Sequence, residues 1–280
     1  MRFACSLAVT LFLLLSSVFV SAQTFTTIDF PGATQTDAFG INNLGDVTGF
    51  YVGPNYDFHG FLLSGGVFTT ADVPGSTFTL AYGINDSKVI VGAYGDSSNV
   101  RHSFVQQGAS TTTLDYPGAK DTDAYAINNL GVVAGTYLDP VTGYHGFTYN
   151  NGTWTTIDGP GQFGTTRVDG INDAGDVVGW FNAGTGFGIS GTHVKIFQDG
   201  NVPIYYANGI NNHGHVIGTG EGQGRSRAVA YGSGTYVTLK DLSTFFPPYM
   251  TGQAINDSDS IVGGYQTADQ NLHGYLRTVN

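Results

Sequence analysis

Apolar and polar residues alternate along this chain in short segments, and the same alternation returns at a regular interval. A clear instance is GINNLGDVTG at residues 40–49, where two apolar stretches flank a polar turn. Its skeleton returns as GINDSKVIVG, AINNLGVVAG, GINDAGDVVG, GINNHGHVIG and AINDSDSIVG. Asn bonds to its own turn, Gly takes the positive φ, and Val and Ile supply strand propensity. The pattern therefore predicts six β-hairpins.

The Asn that follows Ile in each copy serves as the reference position of its repeat, and these residues are spaced by 43, 43, 44, 39 and 45 positions. The six reference residues are Asn42, Asn85, Asn128, Asn172, Asn211 and Asn256. A period near 43 without a helical pattern inside it is typical of a four-stranded propeller blade. The sequence predicts an all-β fold, a six-bladed β-propeller that occupies residues 23–280 as a single domain.

Other residue types also recur at fixed distances from the reference Asn. Gly stands at plus seven in all six copies, and we expect it to let the neighbouring blade approach because it has no side chain. A residue type present in most copies indicates a structural role, because one ligand site cannot use several equivalent positions at once. We expect two repeated sets to hold strand ends by hydrogen bonds. They are His59, His102, His145 and His273, and Asp29, Asp72, Asp115 and Asp158.

The two ends of the chain each lack part of a blade. The last repeat supplies three strands, TGQAIN, IVGGY and HGYLRTV, whereas TFTTIDFPG near the other end is a fourth-type strand without a blade of its own. Pairing of the N-terminal strand 24–30 with the C-terminal blade would complete blade six and remove exposed sheet edges. We therefore expect the propeller to close between its two ends.

Ile-Asn-x-x-Gly, Val-x-Gly and His-Gly-Phe, in this order, resemble the HAF-repeat family of bacterial extracellular proteins over nearly all of residues 24–280. Blades one to three match closely, and blade six reads His-Gly-Tyr. Blade four lacks the His, and blade five has Arg227 near its place. The resemblance implies secretion and a repeated β architecture, and it supplies no catalytic residues to carry over.

Residues 1–22 are typical of a signal peptide, because Arg2 precedes an apolar run over residues 7–20 and small residues end at Ala22. We expect cleavage near Ala22, a secreted extracellular or periplasmic protein, and no membrane anchor, since the run is short for a span. Without this segment the chain has no cysteine, nine basic and 21 acidic residues, and a net charge of −12. These features exclude disulfides and thiolate metal sites and argue against nucleic-acid partners.

Metal-binding and catalytic motifs are incomplete in this sequence. His213-Gly-His215 has no third ligand nearby, and two Asp-x-Asp fragments do not continue with the spacing of a calcium loop. There is no Gly-x-Ser-x-Gly elbow and no Walker-type phosphate loop. We therefore expect no metal and no cofactor, and the sequence identifies no catalytic residue.

Departures from the repeat are the main indication of a ligand site. The residues three before the reference Asn are aromatic in blades one to three and polar in blades four to six: Phe39, Tyr82, Tyr125, Asp169, Asn208 and Gln253. The residues five before it also vary: Asp37, Leu80, Asp123, Arg167, Tyr206 and Thr251. We expect these first strands to line the central channel, with the minus-five positions near one mouth.

The later repeats carry two further charged features, Glu221, which is the only glutamate of the chain, and the cluster Arg225-Ser-Arg227. Drift of the later repeats is the alternative explanation of all these departures. The candidate ligand-binding residues are Asp37, Asp123, Arg167, Asp169, Tyr206, Glu221, Arg225 and Arg227.

Three classes of function remain open. A secreted binding module would hold a polar ligand such as a glycan at the channel mouth, where Tyr206, Phe246, Tyr249 and neighbouring polar residues of the loops would stack on it and bond to it. A polysaccharide hydrolase or lyase would use Glu221 or Asp169 as general acid or base beside Arg167. A structural or protein-interaction scaffold, with an extracellular protein as its partner, would need no small-ligand site. The fold alone does not choose among them.

Overall fold

The computed structural model describes residues 23–98, 100–159, 165–182, 184–197, 203–222, 225–243 and 249–279, and for Glu221, Gly222 and Arg225 it describes the backbone alone. These residues form β-strands and turns without a helix, so the described part of the chain has no helix that could cross a membrane. The expected signal peptide, residues 1–22, lies outside the described residues.

The described strands form six antiparallel sheets of four strands, and each sheet is one blade. Blade one comprises β2 (Gln35–Ile41), β3 (Val47–Val52), β4 (Phe58–Ser64) and β5 (Val67–Thr70). Blade two comprises β6 (Phe78–Ile84), β7 (Val89–Gly95), β8 (Arg101–Gln107) and β9 (Ser110–Thr113). Blade three comprises β10 (Asp121–Ile127), β11 (Val133–Asp139), β12 (Gly143–Asn150) and β13 (Thr153–Ile157).

The second half of the ring follows the same plan. Blade four comprises β14 (Thr166–Ile171), β15 (Val177–Phe181), β16 (Thr185–Ser190) and β17 (His193–Ile196). Blade five comprises β18 (Tyr206–Ile210), β19 (Val216–Gly222), β20 (Arg225–Gly232) and β21 (Thr235–Thr238). Blade six combines β22 (Ala254–Ile255), β23 (Ile261–Gln266) and β24 (Leu272–Val279) with β1 (Gln23–Ile28). The six-bladed β-propeller predicted from the repeats is confirmed.

The strand β1 closes the ring as the outer strand of blade six. It runs antiparallel to β24, from Gln23 opposite Val279 to Ile28 opposite Gly274. The predicted pairing of the two chain ends is therefore confirmed. The strand ends at Ile28 rather than at Phe30, because the Phe30 backbone N–H leaves the sheet and donates to the hydroxyl of Thr36 at 2.9 Å.

The reference Asn residues join each blade to the next at one end of the channel, termed the lower mouth. The side-chain Nδ2 of each donates to the backbone carbonyl of the reference Asn in the following blade over 2.9–3.3 Å, and Asn256 donates back to Asn42. The side-chain oxygen serves the local turn, as in Asn128, which accepts from the N–H groups of Leu130 and Val132. One residue type thus shapes the hairpin and closes a ring of six hydrogen bonds.

The residues that directly follow the reference Asn form a second ring at the lower mouth, in which Asn and Asp alternate. The backbone N–H of each donates to the Oδ1 of the next member over 2.8–2.9 Å, and the sixth donates to the first. In ring order the members are Asn43, Asp86, Asn129, Asp173, Asn212 and Asp257. The alternation places amide donors beside carboxylate acceptors, as between Nδ2 of Asn212 and the Oδ2 atoms of Asp173 and Asp257, at 2.9 Å each.

The repeated glycine at plus seven packs within its own blade. A Cβ on Gly49 would lie 2.0 Å from the carbonyl oxygen of Asp37 and 2.7 Å from the ring of Phe61, which belong to the first and third strands of the same blade. The expectation that this glycine admits the neighbouring blade is therefore wrong. That approach occurs two residues before the reference Asn, where a Cβ on Gly40 would lie 2.5 Å from the carbonyl oxygen of Tyr82 in blade two.

The repeated His residues bind the Asp residues beyond the outer strands. Nδ1 of His59, for example, lies 2.7 Å from Oδ2 of Asp72, and the ring of Tyr51 stacks on the imidazole with centroids 5.0 Å apart. The other three pairs are His102 with Asp115, His145 with Asp158 and His273 with Asp29, at 2.6–2.9 Å. The predicted role of these residues in holding strand ends is confirmed.

Candidate functional site

The other end of the channel, termed the upper mouth, opens into a cavity of about 370 Å³, termed the mouth cavity. All six minus-three residues line it, one from each blade, together with three of the minus-five residues, Arg167, Tyr206 and Thr251. The expectation that the first strands line the channel is confirmed. Each blade contributes its own minus-three side chain to this cavity. A substitution in one blade can therefore change the ligand site without changing the other five blades.

A second cavity of about 620 Å³, termed the side cavity, adjoins the mouth cavity over blades three and four. Tyr125, Arg167, Trp180 and Tyr206 line both cavities and form the boundary between them. Farther out, the side cavity is lined by residues of blades two and three, among them Arg101, Asp123, Thr136 and Tyr144.

Arg167 is held between two aromatic rings at this boundary. Its guanidinium carbon lies 4.5 Å from the ring centre of Tyr125 and 5.3 Å from that of Trp180, its cross-strand partner between β14 and β15. Cation–π contacts of this kind contribute about 0.5–2 kcal/mol each, depending on desolvation. They orient the guanidinium without using its N–H groups, and its buried Nε has no hydrogen-bond partner.

Asp169 brings a buried carboxyl group into the mouth cavity. Its Oδ1 lies 3.7 Å from Nε of Arg167, which is too long for a hydrogen bond, and it has no other hydrogen-bond partner. Burial raises the pKa of Asp169 to about 6, although the charge of Arg167 and the indole of Trp180 act in the opposite direction. Near pH 6 this carboxyl group is therefore able both to donate and to accept a proton or a hydrogen bond.

Aromatic rings follow one another around the mouth from blade one to blade five. Ring centres are 5.1 Å apart between Phe39 and Tyr82 and 4.8 Å apart between Tyr82 and Tyr125. Beyond Arg167, the rings of Trp180 and Tyr206 meet edge to face at 5.3 Å. Three of the five rings stand at minus three in the first strands of blades one to three, and together with Trp180 and Tyr206 they form an arc that the guanidinium of Arg167 joins in the middle.

A charged network fixes the outer wall of the side cavity. Nε of Arg101 donates to Oδ1 of Asp123 at 2.5 Å, and its NH2 group donates to the hydroxyl of Tyr82 at 2.8 Å. The hydroxyl of Tyr125 donates to the second oxygen of Asp123 at 3.1 Å. Burial is the main cause that raises the pKa of Tyr82 to about 12, so this hydroxyl stays protonated. The carboxylate of Asp123 thus balances the guanidinium charge of Arg101 inside the protein.

Four of the residues proposed from the sequence come together at the two cavities. Arg167, Asp169 and Tyr206 line the mouth cavity, and Asp123 lines the side cavity. They come from three consecutive blades, three to five, whose first strands lie side by side around the channel. Residues far apart in sequence therefore share one surface.

The other four proposed residues are placed differently or lie outside the described part. Asp37 is buried where blades one and six meet, its Oδ1 has no hydrogen-bond partner, and burial raises its pKa to about 7. Arg227 is half-buried on β20, and neither residue is among the described lining residues of the two cavities. Glu221 and Arg225 lie on adjacent strands, but their side chains are outside the described residues, so their proposed roles stay predictions.

Trp180 is the principal site residue that the repeat pattern did not indicate. It stands eight residues after the reference Asn, where the other blades have Phe, Ala, Thr, Thr and Gly. This position lies directly opposite the minus-five residue across the first hairpin of the blade, as Trp180 does opposite Arg167. Examination of plus-eight departures together with minus-five departures would have found it.

The described residues contain no group of three His, Cys, Asp or Glu side chains that could hold a metal ion. Of the His213-Gly-His215 pair, His215 is held by Asp259, with its Nδ1 2.8 Å from Oδ1 of that residue.

No known family model matches this sequence, and no curated protein matches it either. Solved structures with a similar fold include a fucose-specific lectin from Aleuria aurantia, 11% identical, with a TM-score of 0.51 over 87% of this chain and 91% of that one. They also include the SapL1 lectin in complex with alpha methyl fucoside, 11% identical, with a TM-score of 0.53 over 89% and 96% of the two chains. At such identities the similarity shows a common propeller fold.

Proposed function

We propose that this protein is a secreted β-propeller that binds a glycan at the upper mouth of its channel. The observation that carries the proposal is the mouth cavity itself, in which the rings of Tyr125, Trp180 and Tyr206 share the wall with the side chains of Arg167 and Asp169. Sugars present apolar C–H faces that stack on aromatic rings, and hydroxyl groups that need donors and acceptors. A concave site with aromatic walls and a few converging polar groups fits that chemistry.

Two further observations support the proposal. Two structurally similar propellers are a fucose-specific lectin and a lectin in complex with a fucoside, which makes sugars the first ligand class to test. The signal-peptide pattern of residues 1–22 and the HAF-repeat resemblance support secretion, where extracellular or periplasmic glycans are available.

A polysaccharide hydrolase or lyase is the second candidate function, favoured by the raised pKa of Asp169, which suits a general acid. Glycoside hydrolysis usually needs two carboxyl groups on either side of the scissile bond. Among the described residues that line the mouth cavity, Asp169 is the one carboxylate. Of the two described carboxylates that line the side cavity, Asp121 and Asp123, the second is bonded to Arg101 and Tyr125, so we place binding ahead of hydrolysis.

The test is a screen of the chain from residue 23 to 280 against immobilised polysaccharides, in which retention and released products are both measured. We expect retention without products, and we expect Trp180→Ala to weaken it at least tenfold, because the ring positions Arg167. Tyr56→Ala is the matched control, since Tyr56 is an exposed aromatic residue that lines neither cavity. Product release that Asp169→Asn abolishes would establish the enzyme instead, and failure to retain any polysaccharide would favour the interaction scaffold.

A further inference from the structure

We infer that the ligand of the upper mouth is a neutral oligosaccharide chain, with one sugar in the mouth cavity and the next ones in the side cavity. The inference rests on the proposed function and specifies its substrate class. It follows from the continuity of the two cavities, from the polar groups that each contains, and from the charges around them.

The two cavities offer more room than one sugar needs. Both volumes, about 370 and 620 Å³, lie within the ~300–1,000 Å³ that small-molecule sites occupy. Tyr125, Arg167, Trp180 and Tyr206 belong to both walls, so a chain that leaves the mouth cavity laterally stays in contact with the same rings. Downward, the channel narrows to a cavity of about 80 Å³ between the first strands. A chain is therefore accommodated sideways, over blades three and four, and its end lies in the mouth.

Besides Nε of Arg167 at the boundary, each cavity contains a buried oxygen atom without a hydrogen-bond partner. In the mouth cavity this is Oδ1 of Asp169, whose side chain is 10% exposed. In the side cavity it is the hydroxyl of Thr136, a residue 3% exposed on β11 opposite Asp123. Buried polar groups in folded proteins are nearly always hydrogen-bonded, so both atoms call for a partner from outside the chain. Hydroxyl groups on successive sugars supply one partner for each.

The charges along this path favour a neutral chain. Nε of Arg101 donates to Asp123 at 2.5 Å, and Nε of Arg167 lies 3.7 Å from Asp169, so each of the two described guanidinium groups that line the cavities has a carboxylate beside it. A further carboxylate, that of Asp121, lines the side cavity. The chain from residue 23 onward carries a net charge of −12, which repels polyanions before contact. A uronate or a sulfate would therefore meet no uncompensated positive charge in the described part of the site.

The experiment uses the chain from residue 23 to 280 and titration calorimetry at pH 7.5. The neutral probes are xylan, mannan, laminarin and cello-oligosaccharides, and the acidic probes are polygalacturonate, alginate and chondroitin sulfate. For the polymer bound most tightly, oligomers of one to six units are then compared. We expect the affinity to rise at least tenfold from one to three units and then to level off, and we expect acidic probes to bind at least tenfold more weakly than the best neutral one.

Two variants divide the site. Thr136→Val removes only the hydroxyl of the side cavity, so it should weaken binding of the trisaccharide about fivefold and leave the single sugar unchanged. Asp169→Asn should weaken both. Thr36→Val is the control, because Thr36 is a buried threonine of blade one that lines neither cavity and bonds to the Phe30 N–H, and it should leave every affinity unchanged.

The outcomes separate this inference from the proposal on which it rests. A single sugar that binds as tightly as the trisaccharide, an equal loss for both ligands in Thr136→Val, or a preference for acidic probes would overturn the inference and leave glycan binding in place. Binding of no probe at all would overturn both.

Discussion

The two mouths of the channel are formed by the same six first strands, and they use their polar groups in opposite ways. At the lower mouth one residue type, Asn, occupies all six reference positions, and each side chain bonds to the next blade. At the upper mouth, three residues earlier in each repeat, five residue types occupy the six positions, and Oδ1 of Asp169 has no hydrogen-bond partner. Uniform positions therefore close the ring, whereas varied positions leave side chains available to a ligand.

Deletion of β1 should have the largest effect, because it removes the strand that closes the ring on which both mouths depend. Without residues 23–28 the edge of β24 is exposed and blade six has lost the strand that completes it. We expect the cooperative unfolding transition to disappear and glycan binding to be lost with it, as measured by calorimetry and circular dichroism. The control is the chain that starts at Gln23, and a deletion variant that melts at the temperature of this control would contradict the closed ring.

Asp37 tests whether a residue at a position that varies among the blades can contribute to stability rather than to ligand binding. It belongs to the varied minus-five row, yet its carboxyl is sealed between blades one and six, where a Cβ on Gly264 would lie 2.4 Å from its Oδ1. Burial raises its pKa from 3.8 to about 7, against the opposing effect of the Ala38 N–H. Since the pKa of Asp37 is higher in the folded than in the unfolded chain, the neutral carboxyl contributes its full stabilisation of the fold below pH 4. This contribution is lost as the pH rises through the folded pKa of about 7.

The size of this loss is at most about 4–5 kcal/mol, because the pKa rises from 3.8 to about 7 and one pKa unit corresponds to about 1.4 kcal/mol. We expect Asp37→Asn to remove this fall, so that the free energy of unfolding by urea changes less between pH 4 and 8 in the variant than in the parent. Equal pH profiles of variant and parent would show that the carboxyl is not buried in its neutral form.

Asp169 on β14 and Asn172, the residue directly after this strand, form a matched pair three residues apart, with one at each mouth. Asn172→Ala removes the Nδ2 donor to Asn211 and leaves the Asp176 N–H without its acceptor, so we expect a loss of roughly 2–3 kcal/mol of stability and unchanged glycan affinity. Asp169→Asn should do the reverse, with an unchanged melting temperature and an affinity weaker by about 1–2 kcal/mol.

Urea denaturation and titration calorimetry on both variants would decide the matter. A loss of stability in Asp169→Asn as large as that in Asn172→Ala would remove the distinction between the two mouths.

The repeated His residues should give the smallest effect. Burial acts to lower the pKa of His102, but the hydrogen bonds and charges of Asp115 and Asp96 outweigh it and raise this pKa. The pair therefore stabilises the fold below pH 6.5, and the contribution is lost as the pH rises through the folded pKa. We expect His102→Ala to cost about 0.5 kcal/mol more at pH 5.5 than at pH 8.5, because the pair is partly exposed. Denaturation at both pH values measures this difference, and equal losses would exclude a charged pair.

The sequence predicted those features that depend on periodicity and on the ends of the chain. The blade count follows from the Asn spacing, the closure follows from TFTTIDFPG at one end, and the channel lining follows from the minus-three residues. Features that depend on distances between blades could not be predicted from the sequence. Nothing in the pattern indicated that Nδ2 of Asn42 reaches Asn85, or that the repeated Gly49 packs against its own blade.

The minus-five row shows the same limit for the site. Three residues of this row occupy equivalent positions in the repeat but have different surroundings. Asp37 is buried against Gly264, Asp123 is bonded to Arg101, and Arg167 lies between the rings of Tyr125 and Trp180. The neighbours that decide these environments come from other blades and from the second strands. Trp180 entered the site for that reason, through its register opposite Arg167.

The alternation of Asn and Asp in the second ring of the lower mouth gives the ring a parity. Each carboxylate has an amide residue on both sides, and this order can close on itself only when the number of blades is even. A ring of five or seven blades built by the same rule would place two carboxylates or two amides next to each other at one joint. The repeating unit of this mouth is thus a pair of blades, and the ring contains three such pairs. A change in blade number that keeps the alternation therefore has to add or remove two blades at a time.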